Sequence, residues 1–438
     1  MPSYSGVWNL VSQLQARGSV LWPSVSKFFI TILPNSTPSR GSSFNNTGNF
    51  FASQPGIYNA GGASEATVTV GIITNYGQNG TIVAQKRLGI TGSSFTLYSS
   101  TVDSSGNLYI GAASNLRTII AKFDPSLTLL SQKEYYDATG NGSYAPQNIS
   151  VDTLGNVYFS GNYSFGCDSG ETFTKVNSSG VIQFSKYRLG GTSTQNITSD
   201  SSGNMYVSLT TSSGGNYEAQ IQKYNSANTL VATYGARESS ASQLAFNRLS
   251  ISSDNSIYAS GYSSSPKVWK FNSSGTSLWS STISATSLQS ISYSCVDGDG
   301  NMYVLCSKAP AGVYTNYIVK FNSSGTVQWQ RKLTASVNVF GLNSISWDSD
   351  TGLILSGQIN NPNVAFSMVV PTDGSKTAAY TISTYTVTYA VSTDLTIANA
   401  GVATAPILTI TLFNNALTTG TPSIAVSNLG YTSTTTVI

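Results

Sequence analysis

Apolar and polar residues alternate with a period of two along much of this chain, as in Val327-Gln328-Trp329-Gln330, and no stretch of its middle sustains the 3.6-residue spacing of a helix. The pattern predicts strands. Two recurring turns separate them. One is Lys-Phe-Asn-Ser-Ser-Gly-Thr at 320 to 326 and again at 270 to 276. Copies centred on Gly80, Leu127, Gly180, Asn228, Gly275, Gly325 and Gly374 follow one another at 47, 53, 48, 47, 50 and 49 residues. The other reads Asp-x-x-Gly-Asn-x-Tyr, at Asp103 to Tyr109, Asp152 to Tyr158 and Asp200 to Tyr206. Altered copies run from Ser252 to Tyr258, Asp297 to Tyr303 and Asp348 to Ile354, with a worn one at Asn45 to Phe51. Asp and Asn bond back to the local backbone, and Gly or Asn accepts the positive φ of a tight hairpin. Each period is therefore two hairpins, or four strands in about 49 residues, which is how a propeller blade reads in sequence.

These motifs resemble the bacterial SBBP-type β-propeller repeats over residues 99 to 335. Ser252 in place of Asp, Leu127 and Asn228 in place of the hairpin Gly, and Val369 and Val370 in place of the Lys-aromatic pair depart from that pattern. The resemblance implies a scaffold and no particular activity. The expected fold is all-β, a seven-bladed β-propeller of four-stranded antiparallel blades, with a short N-terminal helical segment and a small C-terminal β tail. The expected divisions are 1–40 for a docking segment and linker, 41–383 for the propeller and 384–438 for the tail. That tail reads as a strand at Tyr385, Val387, Tyr389 and Val391 and another at Ile407 to Leu412, and either adds to the ring or forms an appendage.

The helix is expected near the start, where Val7, Leu10, Val11 and Leu14 share one stripe, Ser5 can cap and Gly18 can stop it. Gly6, Trp8, Leu10, Gln13, Gln15, Ala16, Trp22 and Pro23 make this stretch similar to a segment of structural proteins of marine tailed phages. The resemblance implies docking to a virion through Trp8, Leu10, Leu14 and Trp22. A plain helix packed on the propeller is the other reading.

Charged residues are only 9 % of the 438, against ~25 % in an ordinary domain, and Ser, Thr, Asn, Gly and Tyr replace them. Neutral polar surfaces of this kind suit extracellular and virion proteins. The net charge of +3 forms no basic run, which argues against nucleic acid. Neither an 18-residue apolar window nor a leader pattern is present, so membrane insertion and secretory export are not expected. Release by phage lysis is the expected route, and the virion the expected location. Cys167, Cys295 and Cys306 have no metal spacing and read as reduced thiols, although Cys295 and Cys306 flank one hairpin.

The chain contains no histidine, which removes Ser-His-Asp, Cys-His and two-His zinc chemistry. No phosphate-binding Gly-x-x-x-x-Gly-Lys-Ser occurs. Asp297-Gly-Asp299-Gly-Asn301 imitates a calcium loop but lacks its closing acid, since position 308 is Lys, and reads as a turn. No cofactor or metal is expected. The function expected is that of a non-enzymatic virion protein, a tail or head fibre or decoration subunit, with a carbohydrate-active enzyme or a bacterial surface adhesion protein as alternatives. Its partners would be other virion proteins, a host-surface glycan and further copies of itself. Loops opposite the repeated turns vary in length, and their aromatics, Tyr135, Tyr136, Tyr144, Tyr163, Phe165, Tyr217, Tyr262 and Tyr314, are the candidate binding residues. The competing expectation is that these rings pack between blades.

Overall fold

The computed structural model describes residues 29–33 and, apart from short stretches of which the longest is 402–412, residues 44–437. Six sheets share one plan. Blade I comprises Thr96–Val102, Leu108–Ser114, Arg117–Phe123 and Leu129–Asp137. Blade II comprises Gly142–Val151, Val157–Phe165, Asp168–Val176 and Ile182–Leu189, and blade III Ile197–Ser199, Met205–Ser213, Asn216–Tyr224 and Leu230–Glu238. Blade IV is Ala245–Ile251, Ile257–Ser263, Ser265–Phe271 and Ser277–Ser284; blade V is Leu288–Val296, Met302–Lys308, Thr315–Phe321 and Val327–Ala335. Blade VI has Phe340–Asp348, Gly352–Asn360 and Asn363–Val370 from the repeat and borrows Phe29–Leu33 as its fourth strand. The innermost strands of consecutive blades touch, so the blades stand around one axis.

The middle strands are buried on both faces. Met302–Lys308 and Thr315–Phe321 expose almost nothing, whereas the outer Val327–Ala335 is mostly half-exposed. A neighbouring blade covers each face of a middle strand, which is why Leu108-Tyr-Ile-Gly-Ala and Ile119-Ile-Ala read as unbroken apolar runs.

The first hairpin is built by its Asp. The Asp152 Oδ1 accepts the backbone N–H groups of Leu154 and Asn156 at 3.0 and 2.9 Å, and Oδ2 accepts Asn156 Nδ2 at 2.7 Å and the Tyr158 hydroxyl at 2.8 Å. Asp103, Asp200 and Asp297 repeat this. Where blade IV has Ser252, Asp254 takes over, accepting Ser252 Oγ and the Ser256 N–H, and Asn255 supplies the positive φ of 59° that Gly supplies elsewhere.

The third hairpin explains its own Gly. In blades I to V the fourth strand opens with a bulge that sets one residue opposite the third-strand Lys: Ser131, Phe184, Ala232, Trp279 or Trp329. The indoles lie under the next blade's hairpin. Trp279 Nε1 donates to the Ser323 carbonyl at 3.1 Å, and Trp329 Nε1 to that of Thr372 at 3.2 Å. A Cβ at Gly325, where φ is +85°, would fall 2.7 Å from the Trp279 ring. Leu127 and Asn228 hold the same backbone conformation, φ 62° and 65°, and follow Ala84 and Phe184 rather than a Trp. Lys175, Lys270 and Lys320 likewise donate to the next blade's hairpin, at Ser226, Ser323 and Thr372, and only Lys122 pairs with its own blade's Asp, Asp103, at 3.3 Å.

The C-terminal segment is a belt. Tyr385–Val391 adds to blade V, Thr396–Gly401 to blade IV, Phe413–Asn414 to blade II and Leu417–Gly420 to blade I. Thr434–Val437 then adds to blade VI outside Phe29–Leu33. The described strands of the tail thus follow the ring backwards along its outer edge and add to it, while the strand expected over 407–412 lies outside the described residues.

Two expectations are corrected. The propeller has six blades of the repeat type, where seven four-stranded ones were expected. The sheet formed by Phe44–Asn45, Phe51–Ser53, Gly56–Glu65, Val68–Tyr76, Ile82–Gly89 and Ala425–Asn428 stands apart. It branches, with both short strands pairing Gly56–Glu65, and the turns expected over 46–50 and around Gly80 lie outside the described residues. It lies between blades I and VI, against Thr96–Val102 and Phe340–Asp348. Added strands also make four blades five-stranded and blade V six-stranded, so uniform four-stranded blades do not hold. No helix occurs among the described residues, and the helix expected over 5–18 lies outside them.

Candidate functional site

The two recurrent hairpins share one rim. A Cβ at Gly155 would lie 3.3 Å from that of Ser178, and one at Gly300 3.5 Å from that of Ser323, each pair being the first and third hairpins of one blade. Toward the opposite rim, several of the candidate residues stand in strands. Tyr144 and Tyr163 are register partners in the long ribbon of Gly142–Val151 and Val157–Phe165, and Tyr136 stands in Leu129–Asp137. The described aromatic candidates differ in exposure. Tyr135 is buried, its hydroxyl donating to the Gly180 carbonyl at 3.0 Å and its ring 5.2 Å from that of Phe159. Tyr144 is buried too. Tyr136 is half-buried under the Arg117 guanidinium, 4.3 Å from the ring centre. Tyr217 and Tyr262 are half-buried, Tyr217 packing on the core between blades III and IV. Tyr163 and Phe165 end the strand Val157–Phe165, but their side chains, Tyr314, and Trp8, Leu10, Leu14 and Trp22 lie outside the description.

Toward that rim run three cross-strand ion pairs that the repeat pattern did not suggest: Arg117 with Glu134, Glu171 with Arg188 at 3.4 Å, and Glu218 with Arg237 at 3.5 Å. Glu171 and Glu218 are almost fully buried. A buried charge requires such a partner, and removing one side of a pair of this kind costs about 3–5 kcal/mol. The opposed charges at the same height of adjacent strands in blades I to III were the available signal.

A second missed feature is on the axis. Arg248 in blade IV donates from Nη1 to Asn148 Oδ1 in blade II at 3.1 Å, and its guanidinium lies 3.9 Å from the centre of the Tyr293 ring in blade V. Asn196 Nδ2 of blade III donates to the same Oδ1 at 2.9 Å, and its own Oδ1 accepts the Leu249 N–H at 3.1 Å. Contact between blades II and IV is open only across the axis. Inner-strand bulges recur at this level in blades I, II, IV, V and VI. This network ties four blades together.

Titration follows burial. Burial raises the Asp103 carboxyl, but hydrogen bonds from Asn107 and the charge of Lys122 outweigh it and hold the group below its ordinary value. Burial pushes the Tyr158, Tyr206, Tyr258 and Tyr303 hydroxyls upward, and a neighbouring Asp adds to the effect. Burial pushes the Cys306 thiol up to about 12 and raises Cys295 as well. Both are free thiols. Asp297 bonds its own turn, accepting from Asp299, Asn301 and Tyr303, and no group of three His, Cys, Asp or Glu residues suited to a metal occurs among the described residues.

No family model matches the sequence, and no curated protein matches it. Solved structures do. A quinonprotein alcohol dehydrogenase-like protein from Bacteroides thetaiotaomicron is 14 % identical with a TM-score of 0.40, over 67 % of this chain and 66 % of that one. Pyrococcus horikoshii acylaminoacyl peptidase is 10 % identical with a TM-score of 0.45, over 72 % of this chain and 49 % of that one. The β-propeller domain of the Trilobed protease from Pyrococcus furiosus is 10 % identical with a TM-score of 0.42, over 73 % and 93 %. The chain thus spans about two thirds of the first of these proteins and half of the second. The propeller assignment rests on the sheet topology of the chain itself.

Proposed function

We propose that this chain is a non-catalytic subunit of a phage virion, a tail or head fibre or decoration protein, whose propeller displays a surface for a host glycan. The N-terminal docking segment and linker, 1–40, would dock it to other virion proteins through Trp8, Leu10, Leu14 and Trp22, and lysis would release it. The observation that carries the non-catalytic reading is the employment of the carboxylates. Asp103, Asp152, Asp200, Asp254 and Asp297 are bound into their own hairpins, and Glu134, Glu171 and Glu218 are paired with arginines. A glycosidase needs two carboxylates free to act on one bond, roughly 5–10 Å apart. The absence of histidine, the sparsely charged surface and the N-terminal resemblance support the virion reading. The SBBP-type resemblance of the hairpins agrees with a scaffold.

Mass spectrometry of purified particles tests this. The expected result is this chain at a fixed number of copies per particle, with no turnover of host polysaccharide by the purified protein. Its absence from particles, or release of reducing sugar ends, would overturn the proposal.

A further inference from the structure

The position opposite the third-strand Lys holds an indole in blades IV and V, and that indole fills the groove to the next blade while donating to a hairpin carbonyl. Blade III has Ala232 there, but the neighbouring Tyr234 ring reaches Gly275 instead, close enough that a Cβ would fall 1.7 Å from it. Blade I has Ser131, and nothing replaces the indole fully. Lys133 lays its methylene stem on Gly180 and Tyr135 reaches the Gly180 carbonyl. A cleft of about 90 Å³ remains between blades I and II, lined by Tyr109, Lys122, Ser131, Lys133, Tyr135 and the hairpin ending at Gly180. That volume admits about three waters at ~30 Å³ each, so it seats one edge of a sugar ring and leaves the rest of the ring in solvent.

Three features of the cleft point to its ligand. The Ser178 carbonyl, equivalent to the one that takes the Trp279 indole and Lys270 in the Ser323 hairpin, receives no donor among the described residues. Lys122, which would reach it by analogy with Lys175 and Lys270, is held instead by Asp103 at 3.3 Å. Lys133 has no carboxylate partner among the described residues, so the cleft carries an uncompensated positive charge.

We propose that this cleft binds an acidic sugar, a carboxylated pyranose of the uronic-acid type, and thereby gives the glycan-binding reading, on which this inference rests, a place and a chemical class. One edge of the ring enters the space that Ser131 leaves beside the Lys133 stem, a hydroxyl donates to the Ser178 carbonyl, and the carboxylate accepts from the Lys133 ammonium. The site lies on the rim of repeated hairpins, not on the rim of variable loops.

The test titrates trigalacturonate and its methyl ester into the full chain and into Ser131→Trp and Lys133→Gln by calorimetry. The expected result is saturable binding of the acid form by the natural chain. The ester and Lys133→Gln should each weaken binding about tenfold or more, as loss of one charge-assisted hydrogen bond implies. Ser131→Trp gives blade I the Trp and cation that blade V has in Trp329 and Arg331, and should abolish binding while leaving the urea midpoint unchanged or raised. Equal binding by Ser131→Trp would overturn the location and leave the glycan reading intact; equal binding of acid and ester would overturn the acidic class. If the Trp variant fails to fold, unchanged affinity in Lys133→Gln overturns the proposal by itself. Should the natural chain bind neither probe, this inference falls, and adsorption of whole particles to host cells decides the glycan reading separately.

Discussion

Replacing Gly325 with Ala separates two demands that the same hairpin makes. The residue sits at φ +85°, and its missing side chain leaves room for an indole whose ring would lie 2.7 Å from a Cβ. The left-handed conformation costs a non-glycine about 1–2 kcal/mol. Overpacking a filled site adds about 1–3 kcal/mol. Gly92 supplies the control, since its φ is +74° and nothing lies within 4 Å of a Cβ placed there. Gly92→Ala should therefore cost about 1–2 kcal/mol and Gly325→Ala about 2–5 kcal/mol, read from equilibrium unfolding in urea. Leu127 and Asn228 show that the strain alone is tolerated at this turn. The overpacking part belongs to Trp279 and must disappear with it. In a cycle with Trp279→Ala, the double variant should be more stable than the sum of the singles by about 1–3 kcal/mol, a coupling of the size contacting residues show. Equal costs at Gly92 and Gly325, or additive behaviour in the cycle, would refute the argument that the indole selects the glycine.

Three further outcomes can be checked. Asp103 titrates below its ordinary value of 3.8, so the stability it contributes is present above that pH and is lost as pH falls through the lower folded value. The thermal advantage of the natural chain over Asp103→Asn should accordingly be constant near neutrality, vanish in strong acid and amount to only ~0–1 kcal/mol, since the pair with Lys122 is on a rim; an advantage that survives full protonation would count against it. Cys306, pushed up to about 12 and buried, should stay unreactive toward a thiol reagent at pH 8 until the chain unfolds, and rapid modification of the native protein would show that its strand opens. Deleting residues 384–438 should speed amide exchange about tenfold or more in Ser277–Ser284 and Val327–Ala335, which lose their outer partners, while Met302–Lys308 stays protected; identical exchange in both forms would mean that the belt adds no stability.

What could be read from the chain was what its neighbours in sequence decide. An Asp that bonds residues two and four positions on announces its hairpin in a few letters, and the substitution of Ser252 with Asp254 and Asn255 could be seen to preserve it. Counting such turns is not counting blades, however. The turn at Gly374 is formed, yet the strand after it, Ala378–Ile382, joins Tyr385–Val391 in the sheet of blade V. Its place in blade VI goes to Phe29–Leu33, more than 300 residues away in sequence, through backbone bonds that leave no mark in the side chains. The belt was illegible for the same reason. The burial of Tyr135 was illegible because a tyrosine that donates to a carbonyl inside a blade interface has the same letter as an exposed one. The cleft at Ser131 could have been found by aligning the residues that follow each third hairpin, where a serine stands in the column of Phe184, Trp279 and Trp329.

The belt also fixes the order in which this molecule can be finished. A ribosome delivers the blades from the N-terminal side, but the ring's outer edge is sealed by residues made after every blade, and Thr434–Val437 comes to rest beside Phe29–Leu33. The outer edge thus closes only after all six blades have been made. Until then blades I, II, IV, V and VI present unpaired outer edges on which strands of other chains could pair. Opening runs the other way: detachment begins at residue 437 and must peel blade VI, the branched sheet and blade I before it reaches blade V. Each station must be lost before the next is strained, so a pull on the C-terminus meets the bonds one sheet at a time, as a zip does. A pull applied at the same strand from the N-terminal side instead loads Phe29–Leu33, held between two partners at once. A load applied from the side of residue 29 is therefore gripped at the doubly bonded strand, whereas one applied from the side of residue 437 is released sheet by sheet.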